Sequence, residues 1–324
     1  MQKFVLIVIA ALLMSSCGDG KSSDKILLDS SGNVNEVSVV VDNEAWKGRL
    51  GEAIRDVLAS PVYGLPQDEP MFTINQIPPN VFTDFITKNR TILKIEMGKT
   101  ASTQFLNNIY AQPQKVVLVT GLNKDELINQ LKENSSRIIE TFKNMEIYEK
   151  QRLIKKSLYN TKFLRDKIGV DIKFPTAYRV AKDEDTFFWI RKDVNTGTLN
   201  LMIYELPLDK IVKNDSIVNQ IIEIRDSIGK KHIEGPIEGS YMITENAYTP
   251  FHGETILDNK PTLETKGMWE VKNAFMAGPY INYAIEDKIH NRWIIAEGFA
   301  FAPSVEKRNY MHELESIIRS IKIE

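Results

Sequence analysis

The thiol of Cys17 belongs to the one cysteine in a chain of 324 residues. It stands within residues 12–24, LLMSSCGDGKSSD, where an apolar run gives way to a polar one. A thiol in that setting is a nucleophile beside two small residues, Ser15 and Ser16, that leave the backbone open to an enzyme. With no second cysteine, no disulfide framework can form within the chain. The other reactive residue types are dispersed. His232, His252, His290 and His312 show no H-E-x-x-H spacing, so no metal and no cofactor is expected. Neither a G-x-S-x-G elbow nor a G-x-x-x-x-G-K-[ST] phosphate loop is present.

The weak candidates for catalysis are His252 and Glu254, which flank Gly253 and could share general acid–base work. They lie in residues 246–266, NAYTPFHGETILDNKPTLETK, read as a long polar loop. Long loops in compact domains are more often functional than accidental. The weightier reading is an ordinary surface loop whose aromatics tuck onto the body. Tyr248 and Phe251 in that loop, with Trp269, are the weak candidates for ligand binding. Trp46, Trp189, Trp269 and Trp293 invite a sugar-stacking role, although three of them sit in or beside strand-like runs where a core role is favoured. Glu270 and Glu286 could form a paired-carboxylate site as in glycosidases, or could be solvated strand residues.

Residues 4–14, FVLIVIAALLM, are uncharged and follow Lys3. Crossing a bilayer takes roughly 20 apolar residues, so this run is too short to span and suits the apolar region of a signal peptide. Met14-Ser15-Ser16-Cys17 resembles the lipobox of bacterial lipoproteins, with Met14 in place of the usual Leu. The resemblance implies cleavage before Cys17, acylation of that residue, and membrane attachment through the acyl chains. One chain anchors only marginally at about 0.8 kcal/mol per buried CH₂, and two or three anchor effectively for good. Gly18 follows where Asp would favour inner-membrane retention in well-studied Gram-negative lipoproteins, which suggests the outer membrane. The side of that membrane stays open. Residues 18–33 are rich in Gly, Ser, Asp and Lys and read as a flexible tether.

The 41 Lys and Arg face 43 Asp and Glu, a net charge of −2 that argues against a nucleic-acid partner. The densest basic run, KQRLIKK at 150–156, reads as the solvated face of a helix. A hydrophobic content of 43% is that of an ordinary globular protein.

Strands are expected over 37–41, 71–77, 91–97, 115–120, 170–174 and 241–245, and helices over 44–59, 80–87 and 216–229. No Gly or Pro falls between Gly121 and Gly169, so that stretch should be helical, with a break near 145–148 where the apolar stripe changes phase. Hairpins are expected at 187–192 with 199–205, around Asn195-Thr196-Gly197, and at 280–286 with 292–301. A terminal amphipathic helix over 305–321 would bury Tyr310, Leu314, Ile317, Ile318 and Ile321. A strand pair followed by a helix thus recurs three times. It defines an α+β fold of antiparallel sheets with helices packed on one face. The expected organisation is a signal peptide (1–16), a lipidated tether (17–34), an N-terminal α+β domain (35–168) and a C-terminal α+β domain (169–324).

TKGMWEVKNAFMAGPY at 265–280, RWIIAEGFAFAPSVEKRNY at 292–310 and YAQPQ at 110–114, with the lipobox, resemble an uncharacterised lipoprotein family of Bacteroidota, a domain of unknown function. The resemblance implies an envelope lipoprotein and brings no activity with it. The leading expectation is a non-enzymatic binding or assembly module with an envelope protein or glycan partner. The alternative is a hydrolase of envelope glycans or peptides using His252 and Glu254.

Overall fold

The computed structural model describes residues 27–324; Cys17 and the leader before it lie outside the described residues. Residues 28–33, the end of the expected tether, dock on the body. Leu28 and Asp29 pair in parallel with Ala111 and Gln112, and Arg90 Nη2 donates to the Asn33 carbonyl at 3.0 Å.

The N-terminal half opens with β1 (Glu36–Val40), in which Val37, Val39 and Val40 are β-branched and every residue but Glu36 is buried. Asp42 then caps α1 (Asn43–Lys47), accepting from the Glu44 N–H at 2.9 Å. Gly48 separates this turn from α2 (Arg49–Leu58), so the single helix expected over 44–59 is two. β2 (Thr73–Ile77) follows, and the short helix expected over 80–87 is a pair of 3-10 turns. Three strands come next, β3 (Thr91–Met97), β4 (Ser102–Asn107) and β5 (Lys115–Gly121). The sheet order is β2-β1-β3-β5-β4. β3 and β5 are neighbours, as expected, but run parallel. The unforeseen β4 is the reason: it takes the edge antiparallel to β5, and the chain turns back from it into the middle of the sheet.

Asn123 accepts from the Glu126 N–H at 3.0 Å and starts α3 (Lys124–Glu133). The helical stretch breaks at Asn134, not near 145–148, and α4 (Ser135–Ile154) runs straight through the phase change. Leu127, Leu131, Ile138 and Phe142 of these helices pack with Val37, Val39, Leu93 and Val117 on one face of the sheet. The opposite face, with Val40, Ile92 and Val116, is covered by Phe82 and Tyr110 instead of a helix.

α5 (Lys162–Ile168) ends at Gly169, whose φ of +60 is the left-handed conformation a helix stop favours. The strands β6 (Arg179–Asp183), β7 (Phe187–Val194) and β8 (Gly197–Pro207) lead to α6 (Ile217–His232). After β9 (Tyr241–Thr244) come β10 (Phe251–Leu257), β11 (Lys260–Lys272), β12 (Ala277–Asp287), β13 (Arg292–Phe301) and α7 (Arg308–Ile318). These eight strands form one antiparallel sheet, a curled half-barrel of order β9-β11-β12-β13-β8-β7-β6, with β10 paired to β11. Both expected hairpins are present, and the α+β class holds. In this half the helices take both faces. Ile221 of α6 packs on Met202, Tyr204, Ala284 and Ile295. Leu314, Ile317 and Ile318 of α7 pack on Leu201, Ile203, Ile281 and Ile294. Each of the three α7 side chains is fully buried, which stabilises by about 1.5–3 kcal/mol apiece. Gly298 permits the approach, because a Cβ there would stand 2.8 Å from that of Leu314.

Residues 246–266 are not a long loop. Most form the β10–β11 hairpin, with Phe251 opposite Lys266 and Leu257 opposite Lys260. Asp258 and Asn259 both take positive φ, the geometry of a type I′ turn.

Candidate functional site

β10 carries His252 and Glu254 two residues apart, so both side chains project from one face of the hairpin. His252 Nδ1 lies 3.1 Å from Thr265 Oγ1 across the strand pair, and Glu254 is exposed. Burial lowers the His252 pKa, against a weaker upward pull from Glu254. Tyr248 and Phe251 reach the N-terminal half: the Gly64 N–H donates to the Tyr248 hydroxyl at 3.1 Å, and Phe251 stacks on Tyr63 with ring centres 5.0 Å apart. Gly64 is required there, with φ of +85 and room for no Cβ beside Lys266. Glu270 and Glu286 do not form a pair. Glu270 lies opposite Ala277, nine residues along β12 from Glu286, a separation of about 30 Å at a strand's rise. Glu286 is bound by Lys213 at 2.7 Å, whereas burial and the neighbouring Glu245 raise the pKa of Glu270.

Trp189 and Trp269, distant in sequence, line one groove of about 300 Å³ with Phe299, Phe301 and Met276. Strand register explains the meeting. Residues 189, 191, 200, 269 and 299 share the face that α6 covers, but α6 ends at His232 and leaves the far end of that face open. Trp189 Nε1 donates to Asn200 Oδ1 at 3.1 Å, and Trp269 Nε1 to the Ala300 carbonyl at 3.3 Å. The Arg191 guanidinium stands 5.3 Å from the Trp189 ring, and its Nε has no hydrogen-bond partner. Under α6 the sheet is fixed by a fully buried ion pair, with Arg225 Nε 2.9 Å from Glu297 Oε1. Asn282 and Thr244 complete its hydrogen bonding, so the groove has a rigid floor. The sequence offered the tryptophans individually; the register that unites them is a property of the sheet.

A second concavity, about 110 Å³, lies between the halves. Lys143 of α4 reaches Glu315 of α7 at 2.8 Å, and the single Tyr283 O–H is shared between Glu264 (2.7 Å) and Glu315 (3.2 Å). Burial pushes the Glu315 carboxyl up, but Lys143 and Lys266 outweigh it and hold it well below the usual carboxylate range. Burial likewise drives the Lys266 ammonium down, and Glu315 and Glu264 reverse this to a net rise. His312 beside them is forced by burial to a pKa of about 4. Lys143 did not emerge from the sequence, and His312 stood there only as one of four dispersed histidines, since each is a single polar position in an amphipathic helix.

Among the described residues no cluster of three His, Cys, Asp or Glu is placed to hold a metal, and no helix is long and apolar enough to cross a membrane. A curled antiparallel sheet with a helix on each face and an aromatic groove past the end of one helix defines an α+β protein with a built concave surface. The chain belongs to the family described as Domain of unknown function (DUF4837), which it matches over residues 157–320. Residues 30–155 match a second domain of unknown function, DUF8532. Solved structures with similarity to the chain include the Saccharomyces cerevisiae Ran-binding protein Mog1p, at 7% identity and a TM-score of 0.32 over 48% of this chain and 90% of that one. Another is LpqN, involved in cell envelope biogenesis of Mycobacterium tuberculosis, at 11% identity and a TM-score of 0.29 over 48% and 82%. Human StAR-related lipid transfer protein 5 is similar at 7% identity and a TM-score of 0.25 over 53% and 97%. No curated protein matches the chain.

Proposed function

We propose that the chain is a non-enzymatic binding module of the bacterial cell envelope, held to the membrane by acyl chains on Cys17, with a glycan as the ligand of the tryptophan-lined groove. The observation that carries the binding reading is the convergence of Trp189 and Trp269 with Phe299 and Phe301 in one open groove. Aromatic faces suit the apolar faces of sugar rings; the half-buried Trp189 and Phe301 present theirs with the buried Trp269 and Phe299 behind them, and the half-buried Arg191 and Thr198 bring polar groups to the lining. The hydrolase reading finds less support, since His252 bonds Thr265 on an open hairpin while Glu254 faces solvent.

Titrating the soluble chain, residues 27–324, with N-acetylglucosamine oligomers should quench tryptophan fluorescence saturably. Trp189→Ala should weaken that binding about tenfold, and His252→Ala should leave it unchanged. Binding that survives Trp189→Ala, or no binding of amino-sugar oligomers at all, refutes the groove assignment. Attachment is tested separately. The lipobox and Gly18 support an outer-membrane anchor, so cells fed labelled palmitate should label the wild type in the outer-membrane fraction. Cys17→Ser should be unlabelled and, once free of its leader, soluble; a processed Cys17→Ser chain that stays with membranes refutes the anchor.

A further inference from the structure

We propose that the cavity between the two halves binds a small hydroxycarboxylic acid. Its volume of about 110 Å³ is on the scale of the engineered cavities of about 150 Å³ that hold benzene, so the occupant has only a handful of heavy atoms. Met71 and Phe72 from the N-terminal half face Ile281 and Met311 from the C-terminal half, which gives it apolar walls.

Two groups on α7 set the polar chemistry. Arg308 is 8% exposed, yet its guanidinium meets only neutral acceptors: the Pro70 carbonyl at 2.7 Å, Thr73 Oγ1 at 3.1 Å and Asn309 Oδ1 at 3.3 Å. Among the described residues no carboxylate pairs with it, in contrast to Lys143 and Lys266, which hold Glu315 and Glu264. Those contacts leave guanidinium N–H donors over, in a fork suited to a carboxylate. His312 is 6% exposed and its Nε2 has no partner. With the proton of the neutral imidazole on the other ring nitrogen, toward the Glu146 backbone, Nε2 is an acceptor and calls for a donor. A hydroxyl supplies one. Arg308 and His312 are four residues apart on one helix, so their side chains emerge from the same face. A carboxylate and a hydroxyl one or two carbons apart match that arrangement, and a short alkyl remainder faces Met71 and Met311.

The probe is 3-hydroxybutyrate, added to the full soluble chain with the His312 imidazole resonances observed by NMR. It should bind saturably and shift those resonances. Butyrate, which lacks the hydroxyl, should bind about tenfold more weakly, and 1,3-butanediol, which lacks the carboxylate, should not bind. His312→Phe should bring butyrate and 3-hydroxybutyrate to equal affinity. Met71→Trp, which fills the void from the half-buried side of the cavity, should abolish binding while circular dichroism shows a folded chain. Equal affinity for butyrate and 3-hydroxybutyrate in the wild type, no shift at His312, or full binding by folded Met71→Trp each overturns the proposal.

Discussion

His312 is a base held neutral inside the protein. Its pKa is about 4 in place of 6.5, chiefly through burial, with Glu315 pulling it upward and Lys150 and Lys143 of the facing helix pushing it down. The unfolded chain therefore binds more protons than the folded one between pH 6.5 and about 4, and stability must fall as pH falls through that window. The loss reaches up to about 3 kcal/mol when the window is fully crossed. Glu315 acts lower down. Its depressed pKa gives stability that is complete above its ordinary value of 4.5 and is lost as pH drops toward the folded-state value. The slope between pH 6.5 and 4.5 is thus set by histidine against Glu270, whose pKa, raised by burial and Glu245, acts in the opposite sense just above 4.5. His232 and His252, which burial also lowers, act in the same sense as His312. Urea denaturation across that range should show wild-type stability declining with acidity and His312→Gln declining less. Parallel curves for the two proteins would remove His312 from this role.

Helix α7 shows what an element needs beyond its own sequence. Its apolar stripe was legible: Leu314, Ile317 and Ile318 are buried as their spacing predicts and Tyr310 is half-buried, but the helix is shorter than the 305–321 expected, and Ile321 is buried beyond its end. Its start was not, because Lys307 at the N-cap provides no side-chain cap. The buried carboxylate of Glu69, from the other half of the chain, accepts from the Lys307 N–H at 2.8 Å and the Arg308 N–H at 2.7 Å. A cap borrowed across that sequence distance leaves no local signal. The β10–β11 hairpin was missed for another reason. Gly253, Pro261 and repeated threonines dilute its alternation, although Asp258-Asn259 was a readable turn. The hairpin at Asn195-Thr196-Gly197 had both cues and was found. The groove was half legible: residue type marked Trp189 and Trp269, and only strand register could join them. Glu69→Ala should strip two buried N–H groups of their acceptor and cost about 1–3 kcal/mol, read as a lower urea midpoint with unchanged m-value. An unchanged midpoint would show that water caps the helix equally well.

At the scale of the molecule, the two sheets are separate but the helices between them are not. Lys150 of α4 and Lys192 of β7 both meet Glu313 of α7 at 2.7 Å, and Tyr178 donates to the same carboxylate at 2.9 Å. Gln151 donates to the Ser316 carbonyl at 3.0 Å, and Asn35 to Asn309 at 3.0 Å. Leu65 and Ile154 contribute apolar surface to the core under α7. Opening this interface would leave Glu313 and Glu315 short of cations, and breaking a buried pair typically costs about 3–5 kcal/mol, a large share of a domain's whole stability. Loss of the N-terminal half should therefore pull the C-terminal half with it. Hydrogen exchange under increasing urea is the direct measure. The slowest amides of Val116–Val119 in β5 and of Ile294–Ala296 in β13 should converge on one opening free energy with one urea dependence. Lys143→Met should lower both together, because Glu315, the buried carboxylate that loses its nearest cation, sits on the helix against which the N-terminal half packs. If β5 opens at lower free energy than β13, or Lys143→Met moves one and spares the other, the halves are independent bodies and the ionic interface is a contact that forms after each has folded.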